Sequence, residues 1–161
     1  MSGHVAAIPY LDRPSDTNIS QLAPVGSLRQ HVDTTLGFQI LRSVKATAAV
    51  TKYELVQYDA GSSEAVVKTT GANIKACIVA GFAVASIAIG EYGWVVCSGQ
   101  AYGLGHSTMG AGSTLLSAST AGRVDDTSVS TNEHCVVGVC VSDASAITAG
   151  DKITVRVAGL L

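Results

Sequence analysis

What most constrains this chain is the way glycine interrupts its apolar runs. One phrase recurs: a small or apolar residue, Gly, a polar pair, then a strand-like run. It occurs as Ile89-Gly90-Glu-Tyr-Gly-Trp-Val-Val, Ala111-Gly112-Ser-Thr-Leu-Leu and Ala149-Gly150-Asp-Lys-Ile-Thr-Val. Gly takes a positive φ without a Cβ clash, so each phrase predicts a turn that opens a new strand. Runs of β texture cover Phe38–Val44, Lys52–Tyr58, Ala65–Thr70, Lys75–Ala80, Trp94–Cys97, Ser113–Ser117, Cys135–Val141 and Lys152–Val157. Their β-branched side chains suit a pleated surface. Turn signals recur about every 8–20 residues, the rhythm of a sandwich or barrel. The spacing is uneven, so the phrases belong to one domain and not to a solenoid. The Ala-rich stretches 45–51 and 82–89 lack caps and a charged face, so at most one short helix is expected. The expected class is all-β: a compact, jelly-roll-like sandwich or barrel over residues 37–161.

A chain of 161 residues, 47% of them hydrophobic, can bury a sizeable core in one domain. Only 14% are charged, against about a quarter in ordinary soluble domains. Ser, Thr, Asn and Gln must supply the polar surface, or partners must cover much of it. The net charge is −2 and no Lys/Arg run occurs, so a nucleic-acid or anionic-membrane partner is not expected. An aromatic content of 5% argues against a stacking platform for bases or sugars. The start, Met1-Ser-Gly-His-Val-Ala-Ala-Ile-Pro-Tyr10, has no basic region or long apolar run, so no secretory leader is expected. The most apolar stretch, 74–90, carries Lys75 and is broken at Gly81; buried strands account for it better than a membrane span. Cys77, Cys97, Cys135 and Cys140 form no C-x-x-C or zinc spacing, so reduced buried thiols are expected.

Residues 1–36 differ in texture. All three prolines lie here, and the hydrophobic residues stand isolated. This segment is expected to be an extended N-terminal arm. Its Ile8, Leu11, Ile19, Leu22, Val25 and Leu28 are the candidate contacts to a larger assembly or to sister subunits, since a fully disordered tail usually carries fewer apolar residues.

The segment Gly90-Glu-Tyr-Gly-Trp-Val-Val-Cys-Ser-Gly-Gln-Ala101 is similar to a phrase of small phage capsid decoration, or cement, proteins. The closing run Val137-Gly-Val-Cys-Val-Ser-Asp-Ala with Ala149-Gly-Asp-Lys-Ile-Thr-Val-Arg-Val-Ala-Gly159 resembles their C-terminal pattern. The resemblance spans roughly residues 37–161. It implies a homotrimer on the outer capsid surface of a virion made in a bacterial cytoplasm. Its partner would be the major capsid protein, whose neighbouring subunits it would clamp together. It implies no catalytic residue, no cofactor and no metal. The alternative in a different class is a trimeric virion fibre or adhesin module that binds a host-surface receptor or glycan.

Enzyme motifs are met only in part. Gly105-His-Ser-Thr-Met-Gly110 has one residue too many for a nucleophile elbow. Gly103, Gly105 and Gly110 miss the dinucleotide fingerprint, and no Lys-Ser/Thr follows for a phosphate loop. Cys135 and Cys140 are an odd number apart, so on a regular strand they face opposite ways. Asp125-Asp126 reads as a solvated turn, and Trp94 as a core anchor. The phrases of the trimeric dUTP-hydrolysing enzymes, a β fold of similar size, are not found.

Overall fold

The computed structural model describes residues 23–59, 65–68, 79–126, 136–142 and 149–157. Among them no helix occurs, and the expected all-β class is what the molecule shows. The strands are β1 (Leu28–Asp33), β2 (Gly37–Ala46), β3 (Leu55–Tyr58), β4 (Ala65–Lys68), β5 (Val79–Ala83), β6 (Tyr92–Leu104), β7 (Thr114–Ser117), β8 (Val124–Asp125), β9 (Val136–Cys140) and β10 (Lys152–Val157). They form one sheet in the order β1-β2-β4-β3-β5-β6-β10-β9-β7-β8. The sheet is open, with β1 and β8 at its edges.

Within it, five strands pair in a circuit. β2 pairs β4 in parallel; β4 pairs β3, β3 pairs β5, β5 pairs β6, and β6 returns to β2, all antiparallel. A ring of so few strands has a narrow interior that only small side chains can fill. The cluster inside is made of Val44, Ala46, Val50, Val56, Val66, Ala80, Ala83, Ile87 and Val95. The Ala-rich stretches 45–51 and 82–89 are therefore ring wall and not helix. Val50 and Ile87 exchange both backbone hydrogen bonds, at 3.0 and 2.8 Å, and add their side chains to this cluster.

Side chains alternate across a strand, so the next residues along the ring point outward. Leu41, Leu55, Phe82, Trp94 and Val96 join a second core with Leu115, Val124, Val137, Ile153, Val155 and Val157 from β7–β10. Trp94 is buried there, as its place at the head of a strand suggests. Residues 28–33, read from sequence as part of the arm, form β1 and pair with β2 along their length.

β6 links the two halves. Its residues 92–99 pair with β2 and residues 99–104 with β10. Gly99 is the residue shared by both registers, with φ +97°, and a Cβ there would lie 2.3 Å from the Phe38 carbonyl oxygen. β6 also carries a bulge: Ser98 pairs Ile40 and Val96 pairs Leu41, leaving Cys97 unpaired between them.

Gly90, Gly112 and Gly150, the glycines of the strand-opening phrase, all have positive φ, at 82°, 86° and 97°. Gly99→Ala should cost at least about 2–3 kcal/mol, because a forbidden φ and a backbone clash add. Gly90→Ala, with φ +82° but nothing within 4 Å of a Cβ, should cost only about 1 kcal/mol. Urea denaturation of the two variants, compared at equal m-value, checks the difference.

Candidate interaction surfaces

The β1–β2 hairpin has two functional-looking faces. Its register pairs Leu28 with Arg42, Gln30 with Ile40 and Val32 with Phe38. These residues share the face away from the core. Leu28 is 55%, Val32 71% and Phe38 54% exposed. Large apolar side chains so exposed on one edge hairpin make it a candidate contact surface. The strand β1 is also a sheet edge, whose backbone groups can pair with another chain.

The other hairpin face carries His31, Asp33 and Gln39 and overhangs a cleft of about 260 Å³. Phe82 and Val96 contribute to its apolar lining. The hairpin tip is held by Asp33, whose Oδ1 accepts from the backbone N–H of Thr35 at 2.8 Å and of Leu36 at 2.9 Å. These bonds, chiefly that from Leu36, hold the Asp33 carboxyl below the usual carboxylate range, and nearby His31 adds to the effect.

Tyr53 and Tyr102 stand at the same cleft. Their rings meet edge to face, with centroids 5.4 Å apart. The Lys152 ammonium lies 4.1 Å from the Tyr102 centroid and 5.9 Å from that of Tyr53, and the Lys52 ammonium 4.8 Å from Tyr53. Such contacts are worth about 0.5–1 kcal/mol at exposed sites.

Tyr53 is the one non-glycine among the described residues with positive φ, at 72°. The turn it occupies is a device this chain uses repeatedly. Ser27 N–H donates to Pro24, Glu91 to Ala88, Ser113 to Gly110 and Arg123 to Thr120. In each of these the third residue is Gly with positive φ. In the fifth, Glu54 N–H donates to Thr51 at 3.1 Å, and the glycine position holds Tyr53. The match with the turn at 88–91 is close. Glu54 Oε2 accepts from Thr51 N–H at 2.7 Å, as Glu91 Oε2 accepts from Ala88 N–H at 3.2 Å. A bulky residue in this region costs about 1–3 kcal/mol and persists only where its surroundings impose it. Here Tyr53 N–H donates to the Ala83 carbonyl at 2.9 Å, Lys52 N–H to Ser86 Oγ at 3.0 Å, and Leu55 N–H to the Gly122 carbonyl at 2.8 Å.

Of the six contact residues expected from sequence, Ile8, Leu11, Ile19 and Leu22 lie outside the described residues. Val25 is partly buried in the turn before β1, and Leu28 opens the exposed apolar face. Sequence reasoning missed Val32, Phe38, Tyr53 and the two lysines. A signal was present for Tyr53: Thr51-Lys-Tyr-Glu54 copies the spacing of Ala88-Ile-Gly-Glu91 with Tyr in place of Gly.

Residues from two of the partial motifs meet in the structure. Ser107 Oγ donates to Asp125 Oδ1 at 2.7 Å, and Asp126 N–H donates to the same oxygen at 2.8 Å. Asp125 is buried in β8, not in the solvated turn expected, because the loop after β6 folds over it. Among the described residues no group of three His, Cys, Asp or Glu is placed to hold a metal. Cys97 and Cys140 are buried free thiols; Cys77 and Cys135 lie outside the described residues. Burial pushes the Cys97 thiol up, against a smaller opposite effect of Arg42.

No protein-family model matches the chain, and no curated protein matches it in sequence. Among solved structures, the N base of the head fibre protein gp8.5 of bacteriophage phi29 is similar in fold. The TM-score is 0.51 at 18% identity, over 73% of this chain and 92% of that one. At this identity the likeness is one of fold.

Two outcomes follow from the thiol and from the hairpin tip. In a Cys77→Ser/Cys135→Ser variant, Cys97 and Cys140 should resist a thiol reagent at neutral pH and both react in denaturant. Fast labelling of the folded chain would show that the core opens. A group held low in the folded state stabilises above its unfolded value and stops doing so as pH falls through the folded one. The protection of the Thr35 and Leu36 amides, measured as exchange relative to the intrinsic rate at each pH, should therefore fall as Asp33 is protonated on acidification, and be low at all pH in Asp33→Ala.

Proposed function

We propose that this chain is a non-enzymatic structural protein of a phage particle, seated on the outer capsid surface, where it cements neighbouring major capsid subunits. The observation that carries this reading is the fold shared with a head-fibre base, over 92% of that domain. The sequence phrases that resemble decoration proteins point the same way. The scarcity of charge, 14% of residues, suits a chain largely covered by neighbours.

The physics asks for no bond-making centre and no cofactor. A ligand that binds the assembled shell and not its separate subunits stabilises the shell by mass action, about 2.7 kcal/mol per site at a hundredfold excess over Kd. A homotrimer, the form the resemblance implies, would match a three-fold of the lattice. It would also add avidity of about 10²–10⁴ over a single contact. The exposed Leu28, Val32 and Phe38 face is the surface best suited to the shell, and the N-terminal residues that precede it would extend the contact.

A second reading is supported by the same neighbour, which is itself the base of a fibre. The chain would then anchor an adhesin and not cement the lattice. Copy number separates the two. Quantitative mass spectrometry of purified particles should find on the order of hundreds of copies for a cement protein and tens for a fibre base. Absence from the particle would overturn both.

Val32→Asp/Phe38→Asp should leave stability within about 0.5 kcal/mol, since both side chains are exposed. It should weaken binding to shells by at least about tenfold. Unchanged co-sedimentation with shells would remove this face from the interface.

A further inference from the structure

We propose that the cleft under the β1–β2 hairpin tip binds a single sugar ring carrying a negative charge. This site is separate from the apolar hairpin face and does not depend on where the chain sits on a particle.

Three observations converge on it. The first is the exchange of Gly for Tyr53. Four described turns of the same form use Gly, and this one accepts a strained backbone to hold an aromatic ring at the cleft. Strain retained against an easy alternative marks a position where the side chain has work to do.

The second is charge. Lys52 and Lys152 gather around the Tyr53 ring, at 4.8 and 5.9 Å from its centroid. No acidic residue among the described ones forms an ion pair with either. Lys52 in the lining and Lys152 beside the two tyrosines outnumber the single Asp33 carboxylate at the hairpin tip, which leaves the tyrosine end of the cleft positive and suited to an anion. Lysine meets carboxylate and phosphate alike as a compact point charge.

The third is shape and polarity. The cleft of about 260 Å³ is smaller than the roughly 300–1,000 Å³ of drug-sized sites, which fits one ring and not an extended peptide. Leu36 and Val84, half-buried in the lining, offer an apolar surface for one face of a pyranose. Around it stand His31 and Asp33, which can hydrogen-bond hydroxyls; Gln39 is buried beneath them with its Nε2 committed to the Gln100 carbonyl. Asp33 Oδ1 is committed to the turn amides, leaving its other oxygen to accept from a ligand. The ammonium groups now lie over the tyrosine faces. Drawn onto an anion, they would uncover those faces for the C–H side of the ring. The low aromatic content along the chain hid this arrangement, because the fold brings Tyr53 and Tyr102 together from distant segments.

The test is two-dimensional NMR on the ¹⁵N-labelled full chain titrated with glucuronate, glucose 6-phosphate and glucose. An acidic sugar should shift the amides of residues 52–54 and 102, with a dissociation constant on the order of millimolar and at least about fivefold tighter than glucose. Added salt should weaken this preference. Response to one acid or to both tells whether carboxylate, phosphate or either supplies the charge. Tyr53→Gly relieves the backbone and should keep the melting temperature within a few degrees while losing at least about fivefold in affinity. Lys52→Ala/Lys152→Ala, both on exposed side chains, should remove the preference for acid over glucose. Failure of both acids to shift these amides at about 20 mM, about twenty times the expected constant, would overturn the proposal. So would equal binding of glucose, or wild-type affinity in Tyr53→Gly.

Discussion

The fold depends on one strand serving two sheets' worth of neighbours. β6 closes the five-strand ring through β2 and β5 and then continues into β10. Were it straight, it could not leave β2 and keep a full ladder with β10. Gly99 makes the change of partner possible, since its positive φ and its contact with the Phe38 carbonyl exclude any side chain. The bulge at Cys97, just before it, lets Val96 remain in the outer core while Ser98 keeps its pairing with Ile40. Bulges add local twist and bend, so the two irregularities act together to turn the strand. The two cores are consequently in register: Val95 fills the ring while Trp94 and Val96 on either side fill the space beyond it.

Much of this was legible in the sequence, and the parts that were not have physical reasons. Lys152–Val157 was readable as a strand because its alternation is regular and a Gly-polar turn precedes it. Gly81 and Gly99 were read as strand ends, but they lie within β5 and β6. Sequence alone cannot distinguish a glycine that ends a strand from one that bends it, because both rest on the same missing Cβ. The strand β1 was invisible because Leu-Arg-Gln-His-Val-Asp has no dense β-branched run. It is a strand because β2 offers it an edge. The small residues Ala46, Ala80 and Ala83 face the ring's narrow interior, a tertiary constraint that no local propensity encodes. For the surfaces, Leu28 could be singled out as an isolated apolar residue. Val32 and Phe38 became a patch only once the hairpin register set them opposite each other.

The hairpin carries both proposed surfaces on opposite faces, and the alternation of a strand makes that arrangement economical. Leu28, Gln30 and Val32 face outward while Arg29, His31 and Asp33 face the body. A one-residue slip would exchange the two sets. Register is therefore the property selection must hold most tightly here, and the hairpin tip is built to hold it. Asp33 ties two turn amides, and Gly37, with φ +77°, completes the loop opposite it. A loose tip would spoil the cleft and the outer patch together.

An edge strand with an apolar face is a hazard for a protein that lives free in solution, since it invites pairing with any exposed strand. Natural edges are usually blunted with lysine, proline or an inward charge; β1 has inward charges in Arg29 and Asp33, while its outward face of Leu28, Gln30 and Val32 carries none. On the outward face of the hairpin, Arg42 lies across from Leu28, and its guanidinium donates to the Tyr58 hydroxyl. Arg42 is thereby held over its own domain instead of guarding the edge. On the proposed reading, in which a lattice covers the chain, an outward face without charge carries little cost and leaves the patch ready to bind. The same features that would be a fault in a monomer are thus those expected of a component whose surface is completed by its neighbours.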